Sequence, residues 1–100
     1  MIHYRTEAEV TRAIRGVLKT LGVIHWKQHQ GLGSVKGIPD IIGLWEGRML
    51  AIEVKAPKGR VSPYQEQWIR RINQAGGIAF VARSPQDVIE KLGVKERFLC

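Results

Sequence analysis

The stretch that decides the fold is IPDIIGLWEGRMLAIEVK, residues 38–55. It holds two strand-like runs, 38–45 and 48–55, on either side of Glu46-Gly47, a pattern typical of a β-hairpin. If these two residues form the turn, counting back along both strands places Asp40 directly opposite Glu53. A four-residue turn keeps that register, whereas an odd-length loop or a bulge would break it.

Two carboxylates are therefore expected side by side on one face of the hairpin. Residues opposite one another have Cβ atoms roughly 4.5–5.5 Å apart, and like charges at such positions are destabilising. A divalent cation between the oxygens would offset that repulsion, because Mg²⁺ prefers hard oxygen ligands. Alternation puts Lys55 on the same face. In the alternative interpretation, Glu53 only pairs with Lys55 on an exposed face and Asp40 caps a turn; the opposing carboxylates and the glycine-rich basic loop before Asp40 favour the metal site.

Helices and strands on both sides of the hairpin predict an α/β sandwich around a mixed sheet. The first helix begins with a capping box from Thr6 to Glu9 and covers about residues 7–21. Ser62-Pro63 and Ser84-Pro85 have the composition of two further helix starts. The remaining predicted strands are 23–29 and the nearly all-apolar 78–82, and the 100 residues suit one domain over 1–100.

Charge favours a polyanionic partner. Sixteen Lys and Arg against nine Asp and Glu give a formal net charge of +7, although such residues can also simply face solvent. No apolar run approaches the ~20 residues of a membrane span, and the polar start predicts no signal peptide. A single cysteine, Cys100, fits a reducing, cytoplasmic compartment. With that one distant cysteine, His25 and His29 do not predict a zinc site.

Pro39-Asp40 followed by Glu53-Val54-Lys55 resembles the motif of the PD-(D/E)xK nuclease superfamily, and most closely that of its virus-type replication-repair branch, VRR-NUC. The resemblance covers about residues 6–90. It implies a restriction-endonuclease-like αβββαβ core with a mixed central sheet flanked by helices. The stretches that carry it are Glu9, Gly37 to Asp40, Ala51 to Lys55, Ser62 to Gln65, and Gly76-Gly77 before the strand that ends in Val81-Ala82-Arg83-Ser84.

The resemblance also implies metal-dependent hydrolysis of phosphodiester bonds, with Mg²⁺, or Mn²⁺ in its place, as the cofactor. No nucleotide cofactor is implied. The site residues that it implies are Asp40 and Glu53 as metal ligands, the Val54 backbone carbonyl as a further ligand, Lys55 as the catalytic lysine, Glu9 as the acid of the first helix near the metal, and Gln65 as a supporting glutamine.

Two of these roles have alternatives in the sequence. Glu9 can serve only the capping box, with Glu7 as the rival acid near the metal; helical spacing puts Glu9 beside Ala13, at the edge of the buried stripe, and so favours Glu9. Gln65 lies three residues after Ser62, where a capping-box glutamine belongs. The sequence pattern alone favours a capping role and an active-site role of Gln65 equally. The resemblance favours the active-site role.

Stand-alone VRR-NUC members of phage and bacteria suggest a homodimeric, structure-specific DNA endonuclease that acts in DNA repair on branched DNA such as four-way (Holliday) junctions. Phe98 and Leu99 could form a dimer contact or cover the core. The alternatives are an inactive or accessory DNA-binding module and a flap or sequence-specific endonuclease. Candidate phosphate contacts, which could equally be solvated charges, are Lys27, Lys36, Lys58 and Arg60.

Overall fold

The protein is described from a computed structural model over residues 3–29 and 35–94. Within these ranges the helices and strands follow one another in the order that the sequence predicted. In chain order they are α1 (Glu7–Thr20), β1 (His25–Lys27), β2 (Ile41–Trp45), β3 (Arg48–Val54), α2 (Pro63–Gln74), β4 (Ile78–Ala82) and α3 (Pro85–Leu92).

The helices begin at the predicted capping residues. Thr6, Ser62 and Ser84 each accept a hydrogen bond from the backbone N–H three residues later. These bonds satisfy donors that the first turn of a helix leaves free. α1 ends at Thr20 with Leu21 as its C-cap, one residue short of the prediction.

The hairpin has the predicted register. Trp45 pairs with Arg48 and Ile41 with Ile52, and both turn residues, Glu46 and Gly47, have positive φ angles of 49° and 78°, as a two-residue hairpin turn requires. The strands are shorter than expected: β2 starts at Ile41 rather than at residue 38, and β1 covers 25–27 rather than 23–29.

The sheet is mixed, in the order β1-β2-β3-β4. β1, β2 and β3 are antiparallel neighbours, and β3 and β4 are parallel. Parallel neighbours need a crossover connection, which α2 provides. The carboxyl end of β3 therefore lies next to the carboxyl end of β4 and near the start of α2.

Apolar side chains pack on both faces of the sheet. α1 and α3 cover one face, where Ile14 and Ile52 are fully buried. α2 covers part of the other face, with Ile72 against Ala51. Of the three tryptophans, Trp45 packs against the first cluster and Trp68 against the second, while Trp26 is exposed. No helix in the described ranges is long and apolar enough to span a membrane.

Candidate active site

Asp40 directly precedes β2 and Glu53 lies near the end of β3, so the two residues are neighbours at one end of the hairpin. Ile41 pairs with Ile52, so Asp40 and Glu53 occupy the next positions along the same two strands. The Asp40 side chain is fixed there, because its Oδ2 accepts a hydrogen bond of 2.8 Å from the Val54 backbone N–H. The side-by-side carboxylates that the register predicted are present.

A third carboxylate comes from the start of α1. Glu7, Asp40 and Glu53 each offer an oxygen, and these oxygens all lie within 4.8 Å of one another; the three residues are called the acid cluster below. The structure brings Glu7, not Glu9, to this position, so the preference for Glu9 is corrected. Glu9 instead interacts with Thr6 Oγ1 at 3.2 Å in the exposed cap of the helix. Glu7 lies three and seven residues before the buried Val10 and Ile14, so it is on the stripe of α1 that packs on the sheet. This spacing is the sequence signal that could have identified Glu7.

Glu53 is the most buried member of the acid cluster, with 2% of its surface exposed. Its Oε2 accepts a hydrogen bond of 3.1 Å from Gln65 Nε2 and lies 3.7 Å from Lys55 Nζ. Within the described residues, its Oε1 is buried without any hydrogen-bond partner. An unpartnered buried carboxylate oxygen is costly, and a cation would satisfy it.

The surroundings of Glu53 favour the protonated form of its carboxyl in the absence of metal. Burial is the largest cause of the shift that raises the pKa of Glu53 from 4.5 to about 8. Contact with the Asp40 carboxyl, the Asp40 charge and the Glu7 charge raise this pKa further, and Lys55 lowers it. Excess negative charge in a buried place therefore has to be balanced, by a proton or by a metal cation.

Gln65 performs both of the roles that the sequence left open. Its Oε1 accepts a hydrogen bond of 2.8 Å from the Ser62 backbone N–H, which completes the capping box of α2. Its Nε2 donates to Glu53. The amide has one acceptor and one donor end, so the same side chain closes the helix start and orients the Glu53 carboxylate.

Lys55 follows β3 and is held by the neighbouring strand. Its backbone N–H donates to the Ala82 carbonyl at 3.0 Å, and its side chain is 12% exposed. The ammonium group thus lies beside the acid cluster with limited freedom to move away. The role of the Val54 carbonyl as a metal ligand stays a prediction.

The candidate phosphate contacts lie on different sides of the acid cluster. Lys27 is at the end of β1. The Lys36 ammonium group stacks over the Tyr64 ring, 4.3 Å from its centroid. Lys58 and Arg60 are exposed in the loop between β3 and α2. Their role as phosphate contacts stays a prediction.

Sequence reasoning missed the role of Arg83 in shaping that loop. Its Nη1 donates to the carbonyls of Ala56 and Gly59 at 2.8 and 2.7 Å. The same nitrogen also donates to the Pro57 carbonyl at 3.4 Å. Together these three hydrogen bonds hold the basic turn that directly follows Lys55. No local pattern indicates these contacts, because they join residues 24 to 27 positions apart.

The acid cluster has the donor set of a hard divalent cation. Its carboxylates come from three separate parts of the chain, and one buried oxygen is unpartnered. Mg²⁺ and Mn²⁺ prefer such oxygen ligands. The residues present therefore fit a divalent metal of this kind.

Comparison with known proteins decides the family. The VRR-NUC domain model matches residues 5–86, a range that contains the whole acid cluster, Lys55 and Gln65. The chain belongs to the VRR-NUC family. This VRR-NUC domain is thus a nuclease domain of the PD-(D/E)xK type, and the resemblance seen in the motif is confirmed.

Two solved structures share the fold of this VRR-NUC domain. One, described as a VRR_NUC domain, superposes with a TM-score of 0.72 at 24% identity, over 91% of this chain and 98% of its own. Another, described as a VRR_NUC domain protein, gives a TM-score of 0.71 at 22% identity, over 93% and 89%. The predicted αβββαβ core is confirmed. A comparison with curated proteins finds no match.

Proposed function

We propose that the protein is a metal-dependent endonuclease that hydrolyses phosphodiester bonds in DNA. The observation that carries this proposal is the acid cluster, in which a buried, unpartnered carboxylate oxygen of Glu53 lies among two other carboxylates. Beside it stands a lysine whose ammonium group is 3.7 Å from the same carboxylate. Carboxylates this close together repel one another, so they would only destabilise a sheet face that had no function beyond folding.

Asp40, Glu53 and Glu7 would hold Mg²⁺, or Mn²⁺ in its place, with the Val54 carbonyl as a further ligand. The cation would supply positive charge at the scissile phosphate and make a nearby water a better nucleophile. Binding requires the proton to leave Glu53. Gln65 then keeps the Glu53 carboxylate in its orientation, and Asp40 is held by the Val54 N–H.

Lys55 would act on the charge that develops during the reaction. Its ammonium group lies beside the acid cluster, where a fixed cation stabilises a phosphorane-like transition state more than it would in water. Folding should depend little on this charge, because the Glu53 carboxyl beside it favours its protonated form without metal. Removing it should therefore reduce cleavage far more than stability.

Branched DNA, such as a four-way junction cut by a homodimer, is the substrate class that we favour. The net charge of +7 suits a polyanion. A second copy is supported by the sheet face that α2 leaves uncovered, where Ile24, Trp26 and Leu44 are 66%, 49% and 52% exposed. Such a cluster on a small protein is typical of an interface. The predicted contact through Phe98 and Leu99 lies outside the described residues. We place the reaction in the cytoplasm.

Cleavage of a labelled DNA panel tests the proposal. Four-way junction, flap, linear duplex and single strand would each be incubated with Mg²⁺, Mn²⁺ or EDTA, with wild type beside Lys55→Ala. We expect cutting that needs metal, is greatest on the junction, and falls by about 100-fold or more in the variant. The matched control is Lys91→Ala, which removes the same charge from an exposed position on α3.

The outcome separates the competing functions. If the protein cuts the flap, or one sequence in linear duplex, faster than the junction, that DNA becomes the assigned substrate and the nuclease proposal stands. Binding to DNA without cutting under every metal condition would show an accessory DNA-binding module instead.

A further inference from the structure

A basic groove runs between α1 and β1, next to the acid cluster. Its volume is about 480 Å³. More than half of its lining residues are cations, and none is acidic. Only Lys27 among them belongs to the phosphate contacts expected from sequence. The lining residues are Ala8, Thr11, Arg12, Arg15, Gly16, Lys19 and Lys27.

Both walls of the groove start at the acid cluster. On the α1 side, Ala8 directly follows Glu7. On the β1 side, Lys27 directly precedes Gln28, whose backbone N–H donates to the Asp40 carbonyl at 2.6 Å. A ligand lying in the groove would therefore reach the candidate metal site at one end.

The cations of the groove are available to an anion. Across residues 3–29 and 35–94, the ion pair observed joins Lys55 to Glu53, so no described carboxylate neutralises the groove. Arg15 is also oriented: its Nε donates to His25 Nε2 at 3.4 Å, and His25 Nδ1 is 2.9 Å from the Val23 carbonyl. These contacts use only Nε of the guanidinium, which leaves its terminal nitrogens free within the described structure.

Gly16 gives the groove a floor without a side chain. Glycine in a helix interior is destabilising by about 0.5–1 kcal/mol relative to alanine. Packing does not require it here, because a Cβ atom at this position would meet no atom within 4 Å. The open space lets the backbone of a ligand approach the helix closely.

We propose that this groove binds the sugar-phosphate backbone of the substrate DNA on one side of the scissile phosphate. The inference rests on the proposed function, since it treats the groove as an extension of the nuclease site. α1 rises roughly 18 Å from Glu7 to Lys19. That length corresponds to about five nucleotides at roughly 3.4 Å each along one strand.

Binding of labelled four-way junction and duplex DNA, measured by fluorescence anisotropy in EDTA over a series of salt concentrations, tests the groove without cutting. Arg12→Gln/Lys19→Gln is compared with Arg70→Gln/Lys91→Gln, which removes two exposed charges from α2 and α3 instead. We expect the groove variant to bind about tenfold more weakly at about 0.1 M salt, with a salt slope smaller by about 2. The control should stay within about twofold of wild type.

Equal losses in both double variants, or no DNA binding by wild type, would overturn the groove assignment. Cutting by wild type is measured separately. If wild type cuts DNA and both double variants lose affinity equally, the groove assignment is wrong and the nuclease proposal stands. If binding depends on the groove but wild type cuts no DNA, the nuclease proposal is wrong and the groove assignment stands. Displacement of DNA by poly-glutamate at equal charge concentration would reassign the groove to an acidic protein.

A second variant fills the groove without changing charge. Gly16→Leu introduces a good helix former, so its melting temperature should equal or exceed that of wild type. The side chain would occupy the floor, and we expect DNA affinity to fall by about fivefold, while Gly16→Ala binds nearly as wild type. Unchanged affinity in the folded Gly16→Leu variant would contradict contact between DNA and this part of α1.

Discussion

At the scale of single residues, the carboxyl groups of Glu53 and Asp40 lower the stability of the metal-free protein. A buried carboxylate with an unpartnered oxygen and a second carboxylate in contact with it cost free energy of folding in the metal-free protein. The proposed function accounts for both carboxylates, because the same arrangement becomes favourable once a cation lies between them.

Asp40→Asn should therefore separate stability from metal binding. A neutral amide removes one charge beside Glu53, and its oxygen can still accept the hydrogen bond that Asp40 takes from Val54. We expect the melting temperature in EDTA to rise by roughly 5 °C, for about 1 kcal/mol. Mg²⁺ should stabilise wild type through its preference for the folded state and leave the variant unchanged. Thermal unfolding with and without Mg²⁺ measures both effects; identical responses would remove Asp40 from the metal site.

The pH dependence of stability follows from the raised pKa of Glu53. Folding raises this pKa from 4.5 to about 8, so between these values the folded state binds more protons than the unfolded state. Rising pH therefore favours unfolding. The contribution of the protonated Glu53 carboxyl to the free energy of unfolding is fully present below pH 4.5 and is lost as the pH passes about 8.

Urea unfolding in EDTA across this range measures the effect. The free energy of unfolding of wild type should fall with increasing pH, and that of Glu53→Gln should fall less, because its amide does not titrate. A profile that is the same in both proteins would mean that another group is responsible.

At the scale of elements, the N-terminal half of α2 joins the two halves of the site. It carries Gln65, which contacts Glu53, and it also holds the loop that leads to Asp40. Trp68 Nε1 donates to the Lys36 carbonyl at 3.1 Å. Gly37 packs so closely that a Cβ atom there would lie 2.7 Å from Tyr64 Cβ, and its φ angle is +81°.

Gly37→Ala should disturb this junction and reduce both stability and cleavage. Gly22→Ala is the matched control, since Gly22 has a similar φ angle of +72° but a Cβ atom there would meet nothing within 4 Å. Strain from positive φ alone costs about 1 kcal/mol. We expect Gly37→Ala to lose about 1–3 kcal/mol more than the control, because overpacking adds to the strain.

Chemical unfolding and the junction-cleavage assay measure the two consequences. Gly22→Ala should retain the cleavage rate of wild type after allowance for its stability. Equal losses of stability in both variants would show that the contact between the Asp40 loop and α2 is not tight.

At the scale of the whole molecule, one side of the sheet is only partly covered by residues 3–29 and 35–94. α1 and α3 close the first face, but α2 is a single helix over a four-stranded sheet. Leu44 remains 52% exposed and Met49 41%. A second copy of the chain on this face would bury these side chains and bring two acid clusters into one particle, as cutting both strands of a junction requires.

Leu44→Asp should convert the homodimer into a monomer. A charge in an apolar interface without a partner costs several kcal/mol. Gln86→Asp, at an exposed position of α3 on the opposite side of the sheet, is the control and should remain dimeric. Sedimentation velocity measures the mass directly. A monomeric wild type, or a dimeric Leu44→Asp, would exclude a dimer through this face.

Local sequence signals predicted most of the fold and the centre of the site. The capping residues Thr6, Ser62 and Ser84 act within one helical turn, so their effect is visible in the sequence. The two-residue turn at Glu46-Gly47 fixes the hairpin register. Because that register follows from counting, the sequence alone determined that Asp40 faces Glu53.

Tertiary structure decided everything that depends on how separate elements pack. The packing of α1 on the sheet placed Glu7 beside Asp40 and Glu53. The docking of α2 let Gln65 serve its cap and Glu53 together, and the approach of β1 to α1 made the basic groove. The physical reason is the same in each case. Hydrogen-bonded turns and caps involve neighbours in sequence, whereas the distance and angle between packed elements are set by side chains far apart in the chain.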